Sequence, residues 1–248
     1  MQCKFTAKHG SATIVGDIFL PEKLPAPAVV FSHGFGGTRK SFYPDCRLLA
    51  EKGAAAVCFD FRGGSPRSDS GNDTENMTVF TEKEDLFAVI DALARDSRIK
   101  ADALFLFGES QGGLVSALAA AERPAAVRGL ILLYPAFCIP DDWRRVFPTQ
   151  ADIPESHSFW GVTLGRQYFQ SIRGLDPFDE IGKYRNPVLI MHGDADDVVP
   201  LSYSERAART YKNAALSVYP GEGHGFSPAA RGQVCEETLA FILEKRNC

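Results

Sequence analysis

The chain has 248 residues, a net charge of −4 and 45% hydrophobic against 23% charged residues. That length suits one α/β domain with a sizeable core and room for an insertion, and the mild acidity argues against nucleic acid or an anionic membrane as partner. No apolar run approaches the roughly 20 residues of a membrane span, and the opening Met1-Gln2-Cys3-Lys4-Phe5-Thr6 has no signal-peptide core, so a cytoplasmic protein is expected.

The elements then follow in chain order. Residues 2–8 and 12–20 predict a hairpin turning at His9-Gly10, and Ala28–Ser32 a short buried strand ending at His33-Gly34. Residues 41–52 predict a helix stopped by Gly53. Ala54–Asp60 reads as a strand covered on both faces. Residues 79–96 place Val79, Phe80, Leu86, Val89, Ile90 and Leu93 at helical spacing. A strand at 103–107 feeds a helix from Ser110; strands follow at 129–134, 187–191 and 216–219, and helices at 202–212 and 229–245. This alternation predicts one α/β domain over 1–248, a mostly parallel sheet with helices on both faces.

One stretch breaks the rhythm. About fifty residues separate Tyr134 from Pro187, too long for a simple crossover, and they hold Trp143, Phe147, His157, Phe159, Trp160, Tyr168, Phe169 and Phe178. A helical connection packing its own small core is one reading. The favoured one is a lid-like insertion at about 135–178 that lends an aromatic wall to a ligand crevice.

The run Leu104-Phe105-Leu106-Phe107-Gly108-Glu109-Ser110-Gln111-Gly112-Gly113 carries the chemistry. An apolar strand, a Gly-x-Ser-x-Gly turn and a helix lift one hydroxyl above the sheet on a sharp bend, which makes Ser110 a candidate nucleophile. A serine needs a base oriented by a carboxylate, in the chain order Ser, acid, His. His224, in the flexible loop Gly221–Phe226, is the expected base. His192 is expected to support the acid loop and His157 to lie at the surface, with a substrate contact the lesser reading. Of three competing aspartates, the spacing of His192-Gly193-Asp194-Ala195-Asp196-Asp197-Val198-Val199-Pro200 favours Asp196, with Asp197 next and Asp194 a turn residue. The loop His33-Gly34-Phe35-Gly36-Gly37 follows the first buried strand, where backbone N–H groups of Phe35 and Gln111 would form an oxyanion hole.

A serine nucleophile argues against dehalogenases and epoxide hydrolases, which use aspartate, and against cysteine-based dienelactone hydrolases. No zinc-binding HExxH or dinucleotide-binding context occurs, so no cofactor or metal is expected. The six cysteines, Cys3, Cys46, Cys58, Cys138, Cys235 and Cys248, are scattered without a CxxC pair; free thiols are expected, Cys58 as a small core residue.

With these residues in hand the chain resembles the α/β-hydrolases, and more narrowly the bacterial cinnamoyl (feruloyl) esterases. The likeness rests on residues 33–37, Phe59-Asp60-Phe61-Arg62-Gly63, Glu75-Asn76-Met77-Thr78-Val79, the serine turn and the acid loop. It implies hydrolysis of hydroxycinnamate (feruloyl or cinnamoyl) esters, small aromatic substrates, through an acyl-enzyme, with the insertion holding the aromatic acyl group. It also implies contacts to the phenolic end from Asp141 or Asp142, Tyr168 and Gln150. A broad short-chain carboxylesterase or thioesterase is the alternative, a serine peptidase the less favoured one, and a homodimer is left open.

Overall fold

The computed structural model describes residues 1–246. Strands β1 (Gln2–His9) and β2 (Ala12–Phe19) form the expected antiparallel hairpin, with Gly10 in the left-handed region at φ +57°. After β3 (Ala26–Ser32) comes a short 3-10 turn and helix α1 (Tyr43–Glu51), which ends before Gly53 at φ +96°. Strand β4 (Ala55–Phe59) precedes helix α2 (Val79–Ala94), whose start is fixed by a reciprocal capping box between Thr78 and Thr81. Then come β5 (Ile99–Glu109), α3 (Gln111–Glu122) and β6 (Gly129–Leu133).

The segment between β6 and the strand beginning at Val188 is neither all helix nor featureless. It contains helix α4 (Ile139–Val146), a hairpin of β7 (Ser156–Phe159) and β8 (Val162–Gly165), and helices α5 (Arg166–Ile172) and α6 (Pro177–Ile181). The chain closes through β9 (Val188–Gly193), α7 (Leu201–Thr210), β10 (Ala214–Tyr219) and α8 (Pro228–Lys245).

Eight strands make one sheet in the order β1-β2-β4-β3-β5-β6-β9-β10, parallel from β4 to β10, with β1 and β2 antiparallel at one edge. Alternation along each strand divides the core in two. Val30, Val57, Leu104, Leu106 and Leu132 face the layer containing α2 and α3. Phe31, Cys58, Phe105, Phe107 and Ile131 face Cys46 and Leu49 of α1 and Val234 and Ile242 of α8. Both faces are therefore dry, which explains why the parallel strands read as unbroken apolar runs. Parallel pairing also brings the carboxyl ends of β3, β5, β6, β9 and β10 to one edge, and every candidate site residue follows one of those ends.

Cys3, Cys46, Cys58, Cys138 and Cys235 form no disulfide, and Cys58 is fully buried as expected; Cys248 lies outside the described residues. Among the described residues no helix is long and apolar enough to cross a membrane.

Candidate active site

Ser110 occupies the bend between β5 and α3 at φ +53°, ψ −123°, a strained conformation for a side-chain-bearing residue. The glycines around it are sterically required. A Cβ at Gly108 would lie 2.3 Å from the Gly112 carbonyl oxygen, and one at Gly112 would lie 2.3 Å from that of Ser32. The neighbouring strand completes the bend: Ser110 N–H donates to Leu133 O at 3.0 Å, and Ala136 N–H donates to Ser110 O at 2.9 Å.

His224 reaches Ser110 from the loop after β10. Its Nε2 lies 3.0 Å from Ser110 Oγ, and its Nδ1 lies 2.9 Å from Asp196 Oδ2. The carboxylate on Nδ1 sets the tautomer, so Nε2 is left to accept the Ser110 proton. Asp196 Oδ1 accepts the N–H groups of Val198 and Val199 at 2.9 and 2.8 Å. Burial alone would raise the Asp196 pKa. Bonds from His192, His224 and the Val199 N–H outweigh it and hold the carboxyl well below its usual range.

His192 does what its position suggested. Its buried Nε2–H points at Val199 O at 2.9 Å and at Asp196 Oδ2 at 3.3 Å, while Nδ1 accepts from Ser204 Oγ at 2.6 Å. Asp197 instead lines the cavity, and Asp194 accepts the Gly221 N–H at 2.6 Å, bridging the acid and histidine loops.

The glycine loop after β3 passes beside the serine: a Cβ at Gly34 would meet Ser110 Cβ at 3.1 Å. Within it, the Phe61 N–H donates to His33 Nε2 at 3.2 Å, so the proton sits on Nδ1 and is donated to Gly34 O at 2.8 Å. Burial depresses the His33 pKa and keeps the ring neutral in this role. Downstream, the buried Arg39 guanidinium pairs with Asp17 at 2.8 Å, Asp69 at 2.7 Å and Asp60, fixing the far end of the loop. Phe35 and Gln111 both border the cavity beside Ser110.

That cavity is about 480 Å³, a size typical of small-molecule sites. Phe35, Ala136, Cys138, Ile139, Trp143 and Tyr168 are among its walls. Aromatic side chains of the segment after β6 pack together and form part of the cavity wall. Trp143 sits 4.7 Å from Phe169, 5.3 Å from Phe159 and 5.5 Å from His157, centroid to centroid. Strand β8 and helix α5 rest on the 74–76 turn: Thr74 Oγ1 donates to Thr163 O at 2.6 Å and Gln167 Nε2 to Asn76 Oδ1 at 2.8 Å. The start of the Glu75–Val79 motif therefore supports the hairpin that carries His157 and Phe159.

The proposed phenol contacts separate. Asp142 lines the cavity and pairs with Arg145 at 3.1 Å. Asp141 points elsewhere, accepting from Arg144 at 2.6 Å and from the Tyr203 hydroxyl at 2.7 Å. Gln150 is exposed on a short 3-10 turn and does not line the cavity. Tyr168 does line it, but its hydroxyl donates to Gln111 Oε1 at 2.7 Å. Gln111 Nε2 in turn donates to Glu82 at 2.8 Å, a buried carboxyl pushed up to about 8 by desolvation, against the Gln111 bond and with help from Asp85. His157, expected at the surface, faces the cavity together with Phe159; the polar–aromatic alternation of Ser156-His157-Ser158-Phe159 is the strand signal for it. Nothing in the sequence singled out Glu82.

Among the described residues no group of three or more His, Cys, Asp or Glu side chains is placed to hold a metal ion. What the arrangement can do is activate a hydroxyl beside an apolar, aromatic-walled cavity.

Known proteins agree with this architecture. Est1E from Butyrivibrio proteoclasticus, solved with ferulic acid bound, superposes with a TM-score of 0.88 at 27% identity over 97% of this chain and 98% of that one. The uncharacterized protein Rv2307c of Mycobacterium tuberculosis is 28% identical over 88% of this chain and 69% of its own length. The uncharacterized peptidase YtmA of Bacillus subtilis is 24% identical over 72% of this chain and 70% of its own. The family model of the prolyl oligopeptidases matches residues 40–247, most of the chain. The chain thus has the α/β-hydrolase fold and belongs to the prolyl oligopeptidase family.

Proposed function

We propose that the chain is a serine carboxylesterase that hydrolyses hydroxycinnamate esters, with Ser110, His224 and Asp196 as its catalytic residues. One observation carries the reading: Ser110, 3.0 Å from His224 Nε2, borders a cavity walled by Trp143, His157, Phe159 and Tyr168. The likeness to a protein solved with ferulic acid supports the aromatic acyl group.

In the proposed reaction Ser110 Oγ attacks the ester carbonyl while His224 Nε2 takes its proton. The oxyanion sits against the N–H groups of Phe35 and Gln111, each such donor contributing about 10²–10³ in rate. His224 then gives the proton to the departing alcohol, which leaves acyl-Ser110. Water, deprotonated by His224, attacks the acyl carbon; the serine recovers a proton and the acid departs. Residues 135–178 act as a lid whose aromatic side chains hold the ring, and Asp142 is the carboxylate placed to meet a phenol.

The test compares kcat/KM for methyl ferulate with that for p-nitrophenyl butyrate, with Ser110→Ala as control. A hydroxycinnamate preference of about tenfold or more is expected, because a site that pairs a hydroxyl rejects analogues without one. Equal rates would leave a broad carboxylesterase, and turnover retained by Ser110→Ala would remove the serine mechanism. Family membership and the likeness to YtmA favour a second reading, peptidase activity. Faster cleavage of aminoacyl p-nitroanilides than of any ester would establish it.

A further inference from the structure

Among the described residues three non-glycine residues have positive φ: Ser110 at +53°, Tyr134 at +36° and Trp160 at +48°. Ser110 is the proposed nucleophile and Trp160 borders the cavity. Tyr134 has no part in the mechanism above. A large aromatic residue in the left-handed region is strained and persists only where its surroundings impose it.

The surroundings of Tyr134 are the machinery itself. Its ring is buried and lies 4.5 Å from the His224 ring, centroid to centroid, at 51° between planes. Phe226, two residues past His224, closes on the same ring at 5.3 Å. The backbone on either side of Tyr134 holds the serine, since Leu133 O accepts the Ser110 N–H and Ala136 N–H donates to Ser110 O. Tyr134 N–H itself is tied to Met191 O at 2.8 Å, on the strand that leads to Asp196. Tyr134 therefore touches the acid's strand and the base's ring, while its near neighbours Leu133 and Ala136 hold the nucleophile. Its far side faces Arg231, which pairs with Glu109 at 3.1 Å and with Asp45 at 2.8 Å.

We infer that Tyr134 is a positioning residue for His224, an aromatic platform at the end of β6 that fixes the imidazole against Ser110 and steadies the imidazolium formed in each half-reaction. The left-handed backbone at φ +36° and the ring's place against His224 occur together at this residue. The inference rests on the serine-hydrolase reading but not on hydroxycinnamate preference, so its test uses a generic ester.

Tyr134→Phe and Tyr134→Met are to be compared with wild type on p-nitrophenyl acetate. The acyl-enzyme burst counts active sites, so partial misfolding does not enter kcat. Tyr134→Leu gives a second ring-free variant should the Met protein fail to fold. The platform predicts kcat within about threefold for Phe, a loss of roughly 10- to 30-fold for Met or Leu, and KM within about threefold throughout. Three results overturn it: Met or Leu within twofold of wild type, Phe as impaired as Met, or a loss that falls on KM alone. Wild-type turnover that survives Ser110→Ala instead defeats the hydrolase reading and is scored separately.

Discussion

Glu82 offers the sharpest physical test of the site's interior. Its side chain is 1% exposed, with Gln111 Nε2 at 2.8 Å. Burial, reinforced by the nearby Asp85, pushes its pKa up to about 8 from an ordinary 4.5; the Gln111 bond opposes the shift without cancelling it. The sign follows from proton binding. Below pH 4.5 both folded and unfolded chains carry the proton, and the contribution is fully present. As pH rises, the unfolded chain ionises first and gains stability, so the native state loses it progressively until Glu82 itself ionises near pH 8. At 1.36 kcal/mol per unit, the loss reaches on the order of 3 kcal/mol by pH 7. Glu82→Gln keeps the shape and an acceptor for Gln111 but cannot ionise. The variant should match wild type to within about 1 kcal/mol at pH 4 and be more stable by roughly 3 kcal/mol at pH 7, or about 6–10 °C in Tm for a chain of this size. Asp85, pushed up to about 6 by burial against its Arg62 bonds, is present in both proteins and largely cancels from the difference. Thermal melts at half-unit pH steps measure it. A Tm difference that does not change between pH 4 and pH 8 would refute the neutral buried carboxyl.

Four further outcomes follow from the same geometry. Asp196→Asn should keep the loop but lower kcat on p-nitrophenyl acetate by about 10³–10⁴, with little change in KM, because the amide supports the wrong His224 tautomer. Gly112→Ala should fail to fold or melt far below wild type, its Cβ meeting the Ser32 oxygen at 2.3 Å and the His33 oxygen at 2.5 Å. Gly232→Ala, in open space on α8, should instead be stabilising by about 0.5–1 kcal/mol, since Ala is the better helix former. Asp142→Asn should raise KM for methyl ferulate more than for methyl cinnamate, whereas Gln150→Ala should leave both unchanged.

How far the sequence reveals such a site depends on the range of the forces that build each part. The Gly108–Gly113 turn is legible because its constraint is local. Gly108 and Gly112 must lack side chains for the strand to turn into the helix at all. His224 and Asp196 are legible at one remove, because parallel strands end at a common edge and the loops after β9 and β10 have nowhere else to go. The aromatic insertion is legible as a segment but not as a shape. Its α4 helix and β7–β8 hairpin form around Trp143 and Phe169, a packing between separate elements that the Ser156–Phe159 alternation signals only locally. Within α4 the difficulty is sharper still. Asp141 and Asp142 are successive residues on one helix, so they point about 100° apart, and only one can face the cavity. What settles the choice is a hydroxyl sixty-two residues away: Tyr203 on α7 takes Asp141 at 2.7 Å and leaves Asp142 at the cavity wall. Glu82 and Tyr134 belong with Asp142. Their surroundings are assembled from distant strands and helices, and the residues next to them in the chain carry no mark of it.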